Sequence, residues 1–339
     1  MWMLFPALSV AILHIAGDNL IVVPDIAVTI GGNILITIFL AYIVGGGIVS
    51  GVSAWIGVKT GQELSIVIGK IFGCRGKKIL AIAILMISIP ASSLTGGHFC
   101  GWILQGFWGF PQYLTAFLAL FLFACFAAGW GEEILHCSNY CAILFIPMTL
   151  LMFGLMSPSS APAIAEISQM DINWPLVFAL ISYNSGGMRP PLIVETATYL
   201  SKRKMQGVFL AVLAKTAEGL FTLMLAYLIL EAEVQGPLAL SQAAAKVFGN
   251  SGGLIYNSLL FCTLTNTMVP AMKVNGRQIL TLTGLPYPYS LAIAVAFVYL
   301  INFCEVTLLL QFMASTGIIM FILIALTAYY IYKSGNNKQ

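Results

Sequence analysis

Apolar residues run along this chain in long blocks separated by short polar clusters. Ten blocks stand out, at about 5–29, 34–57, 79–104, 112–130, 139–156, 174–200, 207–230, 250–272, 287–304 and 306–332. They lack the strict period of two that marks barrel strands. Most match the roughly 20 residues a helix needs to cross the hydrocarbon of a bilayer. The pattern predicts an all-α membrane protein with ten transmembrane helices, here segments 1 to 10. Met1–Leu13 is apolar but has neither a basic n-region nor a cleavage signal, so segment 1 reads as a retained helix. Residues 58–72 differ from the ten blocks. Leu64, Val67, Ile68 and Ile71 share one face, which predicts a short amphipathic helix lying on the membrane surface. A similar short helix is predicted at 238–248.

Segments 1–5 and 6–10 are of nearly equal length. Five is an odd number, so the second half enters the membrane from the opposite side. The domain organisation expected is a first repeat at 1–157, an outer loop at 158–173, a second and inverted repeat at 174–332, and a cytoplasmic tail at 333–339. Two segments are interrupted near their middles. Segment 1 is broken by Gly17, Asp18 and Asn19. Segment 6 is broken by Asn184-Ser185-Gly186-Gly187 and then Arg189-Pro190-Pro191. Glycine weakens a helix and each proline removes a backbone donor. Unwound backbone survives at membrane depth only where protein or a wet cavity satisfies it. Paired interruptions at corresponding places in two halves point to a binding site at the bilayer midplane.

Composition sharpens this reading. Only 27 of 339 residues are Asp, Glu, Lys or Arg, which is 8%; a soluble domain carries about 25%. A soluble globule and a disordered chain are both excluded. The placement of the charges says more than their net value of +3. Lys70, Arg75, Lys77 and Lys78 follow segment 2, and Lys202, Arg203 and Lys204 follow segment 6. Lys273 and Arg277 follow segment 8, and Lys333 and Lys338 follow segment 10. With ten spans all eleven fall on one side. The other side has Lys246 alone, together with Glu166, Asp171, Glu231, Glu233 and Glu305. By the positive-inside rule both termini are cytoplasmic. Seven cysteines without a CxxC pair give no disulfide framework. The chain has no HExxH and no nucleotide-binding loop, so it reads as neither an enzyme nor an ATP-driven pump. Gly45, Gly46, Gly47 and Gly51 read as a helix-packing surface.

Ionisable residues at membrane depth are costly and are functional candidates by default. Asp18, in the first break, suits a cation ligand, a proton carrier or a partner for a substrate amine, and equally an N-cap. Arg189 suits a carboxylate clamp or a fixed pair with Asp18. Gly17, Asn19, Gly186 and Gly187 would present freed backbone groups to a solute. Tyr183 and Asn184 stand beside the second break. Lys215 and Glu218, at i and i+3, share a face and predict an internal ion pair. Asp25 and Glu195 lie nearer the ends of their segments. His98 in segment 3 follows Ser92, Ser93, Thr95, Gly96 and Gly97, and an unperturbed histidine has the titration range a proton relay needs.

Several stretches resemble the YkvI-type bacterial membrane proteins of the amino acid–polyamine–organocation superfamily, whose members share the LeuT fold. One is Ile56 to Leu64, running on to Phe72-Gly73. A second runs from Ile172-Asn173-Trp174 to Ile181-Ser182-Tyr183-Asn184, with the basic turn Lys202 to Lys204. A third is Ala243 to Phe248, with Asn266 and the segment to Gln278. The first stretch also looks similar to cytosine-permease-type nucleobase transporters. One departure matters. The YkvI type usually has a Gly-Ala-Gly-Phe-Ala run in its first helix, where this chain reads Ile15-Ala16-Gly17-Asp18-Asn19-Leu20. The resemblance therefore carries over neither substrate nor coupling ion.

The resemblance implies a 5+5 inverted repeat with broken helices 1 and 6, flanked by helices 3 and 8. In that fold helix 8 often supplies hydroxyls to a sodium site, which singles out Thr263 with Asn266 or Thr267. The function expected is secondary transport of a small, amino acid-like solute through a bacterial inner membrane, coupled to Na⁺ or H⁺. No cofactor and no metal beyond Na⁺ is called for. The partners are the lipid bilayer and the solute, with no nucleic acid. Two alternatives stay open: a nucleobase-type transporter, and a germination-receptor-like protein that keeps the fold and signals without transport.

Overall fold

The computed structural model describes residues 33–156, 171–184, 189–198, 204–234, 236 and 238–336. Every regular element among them is helical: α1 Ile34–Thr60, α2 Leu64–Trp108, α3 Gln112–Ala127, α4 Glu132–Leu155, α5 Trp174–Asn184, α6 Arg189–Thr198, α7 Lys204–Glu231, α8 Ala239–Thr283, α9 Tyr287–Ile301 and α10 Val306–Asn336. Segment 2 is α1, segments 3 to 5 lie in α2 to α4, and α5 with α6 make segment 6. Segments 7 to 10 lie in α7 to α10. Segment 1 falls outside the described residues, as does the boundary expected between the two repeats. Four helices, Ile34–Thr60, Leu64–Trp108, Met205–Glu231 and Val306–Ser334, are each long and apolar enough to cross a bilayer.

Both short helices predicted from the pattern are present, but the first starts at Leu64 and not at 58, because Val58 to Thr60 complete α1 and the left-handed Gly61 ends it. Leu64, Val67 and Ile68 bury the apolar face of the first, and Gly73 (φ 70°, ψ −163°) turns it into the long part of α2. Gly249 (φ 75°, ψ 177°) does the same for the second at the head of α8. No side chain or backbone approaches either α-carbon, so the positive φ alone calls for glycine there.

Some boundaries differ from expectation. α8 runs on to Thr283, so Lys273 and Arg277 sit on its last turns and not in a loop. The apolar run stops at Met272, but Met272, Asn275, Gly276 and Ile279 continue a buried stripe at helical spacing. The long basic side chains can leave that stripe and reach towards water. α4 starts at Glu132, well before the apolar block, because acidic residues suit a helix N-terminus.

The two halves repeat one local design at a nearly constant offset. Gly284 stands 175 positions after Gly109, and both are left-handed C-caps. Pro286 stands 175 after Pro111, and both are extended N-caps. Gly101 packs on Ala116, and 175 positions later Gly276 packs on Leu291. Two hairpins result, α2–α3 and α8–α9, each turned by a three-residue connection.

The hairpins are locked together. Ser88 Oγ donates to Asn275 Oδ1, and Asn275 Nδ2 donates to Ser92 Oγ at 3.1 Å, all fully buried between α2 and α8. Met268 of α8 fills the space left by Gly96 of α2. Tyr287 Oη donates to the Ala127 carbonyl at 3.2 Å, tying α9 to α3. Phe123 of α3 meets Phe261 of α8 at 6.0 Å between ring centres. The main core runs through this frame and on to α4 and α7, where Phe145, Tyr256 and Leu225 are completely buried.

Asn275 holds two hydroxyls in place, so Asn275→Ala strands both. Buried polar groups left unpaired cost about 1–3 kcal/mol in water-soluble proteins, and interhelical bonds in bilayers average about 0.6. The expected loss for Asn275→Ala is about 1–2 kcal/mol, seen as a lower unfolding midpoint of the detergent-solubilised protein. An unchanged midpoint would show that the network is not a structural tie.

Candidate functional site

Segment 6 is built from two helices. α5 ends at Asn184 and α6 begins at Arg189, with residues 185–188 between them outside the described set. Glycines on neighbouring helices bring this segment in close. Gly317 of α10 lies against the Ser182 carbonyl, leaving no room for a methyl group. Gly57 of α1 lies likewise against the Val194 carbonyl. Gly45 sits where an added Cβ would meet Ile181 Cγ1 at 2.5 Å. Both pieces are thus held by backbone-level contact with α1 and α10, the small-residue mode expected inside a membrane.

Arg189 opens α6 and is only 7% exposed. A buried guanidinium must be hydrogen-bonded and neutralised nearby, which makes it the strongest charged marker of a site among the described residues. Pro190 and Pro191 follow at the first turn of α6, where missing N–H donors cost little. Gly17, Asp18, Asn19, Asp25, Gly186 and Gly187 lie outside the described residues, as do the side chains of Tyr183 and Asn184.

The segment 3 candidates lie on a widened, π-type stretch at Ser93–Phe99 in which every residue is buried. Such bulges recur at functional sites. Gly96 faces α8. Gly97 faces Asn302, past the end of α9, and a Cβ there would collide with its side chain. His98 is 8% exposed, with Nδ1 3.4 Å from Gln112 Nε2 and its ring centre 5.5 Å from that of Trp102. His98 Nε2 and Asn302 Oδ1 are both buried without a hydrogen-bond partner among the described residues. The structure places His98 beside Gln112 at the start of α3 and the Cys304 backbone past the end of α9, with Asn302 packed on the neighbouring Gly97.

On α8, Thr263 and Thr265 are buried, and their hydroxyls donate back along the helix to Leu259 O at 2.7 Å and Phe261 O at 2.9 Å. Each oxygen keeps lone pairs for a further partner. Thr267 is also buried. Asn266 Oδ1 is buried without a partner among the described residues. An amide oxygen so placed is a ready cation ligand or solute acceptor.

Lys215 Nζ and Glu218 Oε2 are 2.8 Å apart, with side chains 3% and 1% exposed. Nζ also sits 5.1 Å from the centre of the Tyr42 ring on α1, a cation–π contact strengthened by the dry surroundings. Gly46 makes room for this lysine, and Gly51 lies against Val212. The glycine run of segment 2 is thus the packing surface its sequence suggested, and one thing it packs on is an ion pair. α1 also carries a π-type stretch at Phe39–Gly45 beside this contact.

Sequence reading missed Ser88, Gln112, Asn275 and Asn302. Ser88 and Ser92 are one helical turn apart, a visible pairing signal. Asn275 shares the buried stripe of Met268 and Met272. Asn302 has no local signal, because its role comes from the glycine opposite it.

Known proteins agree with this architecture. The chain superposes on a structure described as the inward-facing conformation of Mhp1, with a TM-score of 0.66 and 12% identity, covering 92% of this chain and 75% of that one. No family model and no curated protein sequence matches it. The protein is an all-α, multi-span membrane protein with the LeuT-like 5+5 fold, in which segment 6 is one of the broken helices.

Removing one partner of a buried ion pair takes from the other its closest opposite charge. Lys215→Met is expected to destabilise the detergent-solubilised protein by about 3–5 kcal/mol. Adding Glu218→Gln should restore most of that loss. Thermal unfolding of the three proteins checks this, and additive losses in the double variant would show that the two side chains do not act as a pair.

Proposed function

We propose that this protein is a secondary active transporter that moves a small polar, amino acid-like solute by alternating access, coupled to Na⁺ or H⁺. The observation that carries the reading is the buried Arg189 at the head of α6, inside a segment made of two helices in a fold shared with Mhp1. Burying a guanidinium at membrane depth is expensive without a task. A planar, bidentate donor suits a solute carboxylate. In this reading Gly17, Asn19, Tyr183, Asn184, Gly186 and Gly187 complete the solute site. Asp18 takes the coupling ion with help from Thr263, Asn266 or Thr267, while His98 serves a proton route. The proposal extends to membership of the amino acid–polyamine–organocation superfamily as a YkvI-type protein, and to a bacterial inner membrane with both termini cytoplasmic. The basic residues following segments 2, 6, 8 and 10 support that orientation.

A nucleobase-type solute is the second reading. It rests on the stretch Ile56 to Leu64. Neutral heterocycles would use the amide groups of the site and leave Arg189 as a structural cation.

Uptake into proteoliposomes under imposed Na⁺ or H⁺ gradients tests the function. Accumulation of an amino acid driven by either gradient supports it; binding without accumulation would favour a receptor. Asp18→Asn is expected to abolish the ion dependence while the protein still folds, and unchanged dependence removes Asp18 from the coupling site. Arg189→Ala should weaken carboxylate solutes by roughly ten- to a hundredfold, the worth of a charge-assisted hydrogen bond, and leave neutral analogues little changed. Equal loss for both would make Arg189 structural.

A further inference from the structure

We propose that the groove between α1 and α10, at the end of the molecule where each helix carries a lysine in its last turn, binds an anionic phospholipid. The groove has a volume of about 360 Å³ and is lined by Gly51, Val52 and Trp55 of α1 and Ala328, Tyr329 and Tyr332 of α10. Almost all of its surface is apolar, and it opens on faces that carry exposed Ile48, Phe321, Ile322 and Leu326. Its neighbours are therefore acyl chains. Its volume lies towards the lower end of ligand pockets, roughly 300–1,000 Å³, which suits part of one chain.

The polar end of the groove selects the headgroup. Lys59 follows Trp55 by one turn, and Lys333 follows Tyr329 by one turn, so each continues its helix's lining stripe beyond the apolar zone. Both lysines are exposed. Phe72, at the end of the surface helix, packs edge-on against Tyr330, with ring centres 5.4 Å apart. That contact brings the exposed Lys70 and Arg75, which flank Phe72, to the same end. Tyr329 and Tyr332 have no hydrogen-bond partner for their hydroxyls among the described residues, and tyrosine favours the headgroup level. The site thus pairs an apolar slot with cations and hydroxyl donors where a phosphate would sit. A second copy of the chain fits less well. Two copies sharing a membrane and meeting through this face would set Lys59 and Lys333 against their own counterparts.

The proposal is independent of the transport reading. Native mass spectrometry of the full-length protein, released from detergent with phosphatidylglycerol or phosphatidylcholine at equal concentration, tests it. Phosphatidylglycerol should be retained in preference. Lys59→Gln with Lys333→Gln should weaken it roughly fivefold per lysine and leave phosphatidylcholine unchanged. Ala328→Phe fills the slot and should reduce both lipids. Equal retention of the two lipids by the unaltered protein overturns the proposal. So does undiminished phosphatidylglycerol binding by the double lysine variant, or a dimer that Ala328→Phe abolishes. If Ala328→Phe does not fold, the lysine variant, altered only at exposed positions, carries the test alone.

Discussion

Inside a bilayer there is no water to satisfy a polar group, and each one left over costs several kcal/mol. That penalty shapes this molecule more than the attraction between apolar surfaces, since lipid tails are as apolar as leucine. It explains why the described chain is built from helices that close their own backbone bonds. It also explains why the polar side chains between those helices come in sets. Ser88, Asn275 and Ser92 satisfy one another, Lys215 answers Glu218, and Thr149 pairs with Tyr256 at 3.1 Å. Each set lies between two segments or beside a second one, so the same bonds that remove a penalty also fix which helices are neighbours.

The exceptions are informative for the same reason. His98 Nε2, Asn266 Oδ1 and Asn302 Oδ1 are buried without partners among the described residues. Orphaned polar atoms are rare in folded proteins and mark a ligand, an ion or a water. They occur on α2, on α8 and beside α9, around the locked hairpins, and not on the lipid-facing surface. Polar capacity is thus saturated where the helices are tied together and left open at a few inner positions.

Much of this was legible in the sequence. The ten blocks are helices wherever they fall among the described residues, and the surface helix ending at Phe72 was readable from Leu64, Val67 and Ile68. Glycine and proline marked the interruption in segment 6, and the Lys215–Glu218 spacing announced its ion pair. What stayed hidden depends on partners far away in the chain. Asn275 reads as the polar end of an apolar run until Ser88 and Ser92 are placed opposite it. Gln112 reaches His98, and Asn302 reaches Gly97, only once the helices are packed. The end of α8 was misplaced because mean apolarity falls at Lys273 while the buried stripe continues to Ile279. A local average cannot see a face.

The two hairpins have a mechanical consequence. Their connections, from Gly109 to Pro111 and from Gly284 to Pro286, are equally short and capped alike, and their helices pack closely where Gly101 meets Ala116 and Gly276 meets Tyr287 and Leu291. Tied to each other through Asn275 and Tyr287, they have little freedom to shear without breaking buried hydrogen bonds. Segment 6 meets α1 and α10 closely at Gly57 and Gly317, where the Val194 and Ser182 carbonyls and the Ala197 side chain come up against glycine. That bonded frame makes the paired hairpins the stator of the molecule, the part against which its other helices are set.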